Sequence, residues 1–166
     1  MSRYYAESWY FTQPHKGALK KQFTACLNRA LERYPSVDLF LLAHTNEYVD
    51  WVAQIPAERR ARLRLVYNTG CHNQPQGSQW LDLGAKTYVG HPGTTWSPFF
   101  YFFFLRRWAR GWDIENATTV SNTLMESKLK IWERMTFGHW SAAALMYESK
   151  ASGFGRGDLR IEDVHP

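Results

Sequence analysis

Leu63-Arg-Leu-Val-Tyr-Asn-Thr-Gly-Cys71-His72-Asn73 is the stretch on which the reading of the whole chain turns. Leucine, valine and tyrosine favour extended backbone, and Asn-Thr-Gly then breaks it. The expectation is a strand over residues 63–67 that stops abruptly and delivers a cysteine and a histidine at its C-terminal end. In open α/β sheets that end of a strand is where reacting groups gather.

One element upstream, Val37-Asp-Leu-Phe-Leu-Leu-Ala43 is a nearly continuous apolar run, the pattern of a strand covered on both faces, and it stops at His44-Thr45-Asn46. A helix over 46–54 and a polar connection over 58–62 link the two strands. Before them, Leu19, Phe23, Cys26, Leu27, Ala30 and Leu31 recur at helical spacing, predicting a helix over 18–34 with Cys26 as a small buried hydrophobe. Tyr4 to Thr12 is aromatic and β-prone and predicts a first strand.

Downstream of Cys71, a polar loop borders the strand end, a short helix over 79–84 is closed by Gly84, and a third strand over 85–89 runs into Gly90-His91-Pro92-Gly93. Ser97 with Pro98 opens, and Gly111 closes, an aromatic helix over 97–108. Another helix follows over 114–134, then a mixed aromatic and alanine-rich piece over 137–147. Residues 153–161 read as a glycine-rich turn feeding a last strand. Strands alternating with helices predict an α/β three-layer sandwich with a mostly parallel sheet, built as one domain over 1–166.

Composition narrows the class. With 45% hydrophobic and 21% charged residues in 166, the chain carries a globular core. Two cysteines exclude a disulfide framework and favour a reducing, cytoplasmic setting. No apolar run approaches the roughly 20 residues of a membrane-spanning helix, so no membrane partner is expected. The net charge of +5 is spread over Lys20-Lys21, Arg59-Arg60 and Arg106-Arg107 without an aromatic-basic signature, so neither is specific nucleic acid. Eight tryptophans fit a thick core, a groove, or an aromatic surface covered by a second copy or another part of a parent chain.

In a parallel sheet the ends of neighbouring strands share one rim, which gathers His44, Cys71, His72 and His91. A cysteine attacks as its thiolate, and an imidazole takes the proton or stabilises the charge. The expected pair is Cys71 as nucleophile and His44 as its base, with backbone amides at Thr45, Gly70 and Cys71 as oxyanion donors. His72, Asn73, His91, Thr94 and Trp96 are the expected substrate-binding residues. Zinc fits less well, because adjacent Cys71 and His72 ligate one ion awkwardly; no cofactor is expected.

The order apolar strand, histidine, helix, apolar strand, cysteine, short helix resembles the caspase-like cysteine peptidases, the group of caspases, legumains, gingipains, separases and CHAT domains. The segments Leu41-Leu-Ala-His44, Leu65-Val-Tyr-Asn-Thr-Gly-Cys71, Trp80-Leu-Asp-Leu-Gly-Ala-Lys-Thr-Tyr-Val-Gly90 and Gly155-Arg-Gly-Asp-Leu-Arg-Ile161 carry the likeness, over roughly residues 37 to 161. It implies a caspase-like fold and an endopeptidase cleaving a protein or peptide substrate through a thioester, with His44 and Cys71 in the family's catalytic positions. Thr45 stands where the family usually has glycine, Thr69-Gly70 precede the cysteine instead of following it, and against the family's sheet the chain is short of a strand on its N-terminal side. These departures keep a second expectation open: a catalytically silent relative that binds a protein through its aromatic surface.

Overall fold

Among the described residues, apolar β-favouring runs separated by helices form β1 (Val37–Leu41), β2 (Leu63–Asn68) and β3 (Thr87–Gly90), and a glycine-rich segment forms β4 (Ser152–Gly155). They lie in the order β1-β2-β3-β4, the first three parallel and β4 antiparallel to β3. The structure is a computed structural model that describes residues 4–10, 19–42 and 47–163. Every residue of β2 is buried, as befits a strand between two helical layers.

Leu63 and Val66 face the layer built by α1 (Leu19–Arg33), α2 (Tyr48–Val52), α3 (Ala57–Arg60) and α4 (Gly77–Asp82). Leu65 and Tyr67 face α5 (Ser97–Trp108), α6 (Ile114–Met135) and α7 (Ala142–Ser149). The sheet therefore separates two apolar clusters, giving the expected three-layer α/β arrangement. The pairing of β1 with β2 slips by one residue between Val37 and Asp38, opposite Arg64. Such a bulge lets two successive side chains point the same way. Arg64 accordingly shares the face of Leu65, its guanidinium 5.4 Å from the Trp108 ring and 2.8 and 2.7 Å from the Asp38 carboxylate oxygens.

Four expectations need correction. Residues 4–10 form no strand; side chains hold them instead, through the Tyr5 hydroxyl on Asp38, Trp108 Nε1 on Tyr5 at 2.9 Å and a Glu7–Arg33 ion pair at 3.0 Å. Within the supposed polar connection, Ala57–Arg60 turns as a short helix behind Pro56. Gly153 and Gly155 of the tail lie inside β4, and among the described residues only turns follow it; Gly155, at φ +83°, passes so close to the Lys86 carbonyl that a Cβ has no room. Cys26 is half-buried at the border of the α1 stripe. No helix among the described residues is long and apolar enough to cross a membrane.

Candidate functional site

β2 ends at Asn68, whose side-chain Oδ1 accepts a 2.9 Å hydrogen bond from Gly70 N–H and turns the chain sharply. The loop that follows is pinned by Asn73. Its Nδ2 donates to the carbonyls of Asn68 at 3.1 Å and Gly70 at 2.5 Å, while its Oδ1 accepts from His91 N–H at 2.8 Å. Tyr88 donates to the Asn73 carbonyl at 2.9 Å, and the His72 N–H, from a backbone at φ +55°, reaches the Gly93 carbonyl at 3.1 Å. The left-handed turn at His72 thus locks the loop to the end of β3.

Cys71 emerges half-buried from this clamp with its Sγ 3.8 Å from Thr95 Oγ1. The same hydroxyl lies 3.0 and 3.1 Å from the carbonyls of Thr69 and Gly70. A hydroxyl has one proton to give and lone pairs to offer. With the proton on a carbonyl, Thr95 accepts from the thiol; rotated, it donates to a thiolate.

The other expected residues divide. His72 is exposed beside the thiol. Thr94 is exposed, its N–H 3.2 Å from Glu148 Oε2, and Trp96 sets an edge against Trp132 with ring centroids 5.0 Å apart. Asn73 and His91 are instead wholly buried. The Asn73 amide is spent on backbone, and the His91 ring is held at 2.7 Å from the Ser149 carbonyl, stacked on Tyr67 and edge-on to Phe100. They tie the loop to its neighbours, with the Asn73 amide and the His91 Nδ1 engaged by backbone where substrate contacts were expected. Because a carbonyl only accepts, His91 carries its proton on Nδ1, and burial pushes its pKa down to about 4.

The Gly70 N–H, expected as an oxyanion donor, is engaged with Asn68 Oδ1. His44 and Thr45 lie outside the described residues. The strands on which they depend are nevertheless fixed in register, with Leu41 opposite Asn68 and the Thr69 N–H donating to the Leu41 carbonyl at 2.9 Å. Tyr101 also donates to that carbonyl, fastening α5 to the strand ends.

Sequence reasoning passed over Thr95 and Glu148. Thr95 stood in a stretch already singled out, but its target lies 24 residues away in sequence. Glu148 belongs to a helix with no spacing signal toward the rim. Among the described residues no three His, Cys, Asp or Glu side chains gather as a metal-ligand set. No family model, curated protein or solved structure matches the chain.

Proposed function

We propose that the chain is a cysteine endopeptidase of caspase-like fold, with Cys71 as nucleophile and His44 as the base that serves it. One observation carries this reading: β1 and β2 are parallel neighbours with Leu41 opposite Asn68, and His44 and Cys71 each follow those partners by three residues. The half-buried setting of Cys71 above a rigid loop, with a hydroxyl at hand, supports it further.

In the reaction, the imidazole takes the thiol proton and the sulfur attacks the peptide carbonyl, forming a C–S bond. The oxyanion is met by the amide of Cys71 and by donors around Thr45. Collapse breaks the C–N bond, the imidazolium gives its proton to the departing amine, and a thioester remains for water to hydrolyse. Cleavage of a fluorogenic peptide library should fall by about 10³-fold or more in Cys71→Ala. Undiminished cleavage by that variant would refute the assignment.

A second reading, a catalytically silent binding module, draws on the rings that α6 and α7 leave uncovered: Trp132, Trp140, Tyr147 and Phe137, the last 99% exposed. A second copy of the chain or another protein is the partner such a surface suits. An intact wild-type fold that cleaves no library member, and whose Cys71 reacts with iodoacetamide no faster than Cys26, favours this reading over the first.

A further inference from the structure

We propose that the cleft at the C-terminal end of α5 binds a small phosphate monoester, with Arg106, Arg107 and Arg110 as its cationic wall and Phe102 and Trp112 as its apolar one. The site is independent of the thiol chemistry and lies away from the rim.

Three guanidinium groups meet here within little more than one helical turn, around a cleft of about 260 Å³ whose lining includes no acidic residue. None of the three takes part in an ion pair among the described residues. Arg107 is the most constrained. Its Nη1 donates to the Phe103 carbonyl at 2.9 Å, its guanidinium sits 5.6 Å from the Trp112 ring centroid, and its Nε is buried without a partner among the described residues. Burial, and then the charges of Arg106 and Arg110, make its cationic form harder to keep. An anion in the cleft relieves all three at once.

Arginines in a last helical turn often do no more than complement the helix dipole and cap its carbonyls. In α5 that work is largely done by the backbone. Leu105, Arg107 and Trp108 carbonyls accept from the N–H groups of Ala109, Arg110 and Gly111 at 2.9, 2.9 and 3.0 Å. The turn can fold back in this way because Gly111 takes a left-handed φ of +80°. Arg106 and Arg110 are left exposed, with no side-chain bond to those carbonyls among the described residues.

The chemistry of the cleft selects its ligand. Guanidinium forks match the oxygens of phosphate in pairs, and three cations suit a group of more than one negative charge better than a single carboxylate. The half-exposed faces of Phe102 and Trp112 give an apolar body somewhere to lie. A cleft of about 260 Å³ is below the ~300–1,000 Å³ typical of larger ligands, so the body is small.

Phenyl phosphate carries both features and serves as the probe. Isothermal titration at low salt should give saturable one-to-one binding. Arg106→Gln/Arg110→Gln, which alters only exposed side chains, should weaken it by about 10-fold or more while leaving the circular dichroism unchanged. Trp112→Leu should weaken phenyl phosphate and spare inorganic phosphate. Lys128→Gln, on the neighbouring helix, should change neither. Absence of saturation, an equal loss in Lys128→Gln, or full affinity in the double arginine variant would each overturn the proposal.

Discussion

Asn73 and His91 show how little a residue's identity says about the direction it faces. Both stand at strand ends, where a polar side chain either meets a ligand or ties the departing loop to its neighbour. Asn73 has the donors and acceptor to satisfy two carbonyls and an N–H at once, and the clamp uses all of them. That partnership spans 18 residues to His91, so no local pattern foretold it. His91 leaves a measurable trace. Held neutral, it has a folded pKa near 4 against an ordinary 6.5. Between those values the unfolded chain binds the proton and the folded chain does not. The stability this contributes is therefore present above pH 6.5 and lost as pH falls through 4. Urea unfolding at pH 7.5 and 4.5 should show a pH-dependent loss that His91→Gln reduces by about 2–3 kcal/mol.

Among the elements, those that follow one rule came through well. The stripe of α1, the Ser97-Pro98 start of α5 and the apolar runs of β1 to β3 state their structure locally, although α5 begins behind Trp96 without a side-chain cap; the cap lies instead on α6, where Asp113 accepts from Asn116 N–H at 2.8 Å. Two of the exceptions depend on distant partners. The aromatic N-terminal segment looked like a strand but is fastened by Tyr5 and Glu7 side chains, and β4 looked like a turn because glycines punctuate it. In β4 the glycines admit the chain beside Lys86, whose carbonyl accepts from Arg156 N–H at 3.0 Å. Gly155→Ala demands both a left-handed alanine and a shift of that backbone. It should lower the unfolding free energy by about 2 kcal/mol or more, read from urea denaturation.

Across the whole molecule, Arg64 joins parts that the sequence keeps far apart. Besides Asp38 it donates to the carbonyls of Ile161 at 2.6 Å and Asp163 at 2.9 Å, and Asp38 in turn accepts from Tyr5. The N-terminal segment, two strands, α5 and the C-terminal turns thus meet at one ion pair, with side chains 5% and 0% exposed. Nothing in the sequence around Arg64 marks it as a buried partner of Asp38; the bulge turns it to the face of Leu65. Asp38→Ala strands a buried cation and should cost about 3–5 kcal/mol in urea unfolding, whereas Arg64→Met/Asp38→Leu, which removes both charges, should cost less than Asp38→Ala alone. The rim follows the same logic: the order of strands was legible, and the identity of the hydroxyl beside Cys71 was not.

The antiparallel closure by β4 also has a consequence for how the chain is made. Residues 87–90 emerge from the ribosome about sixty positions ahead of their partner strand. At ordinary rates of synthesis the edge of β3 waits about 3–12 s for Ser152–Gly155. Throughout that interval a flat strand edge with its hydrogen-bonding groups unmet is open to any other nascent chain. Substitutions that slow the pairing of β4 with that edge should therefore appear as lower soluble yield before they appear as lower stability.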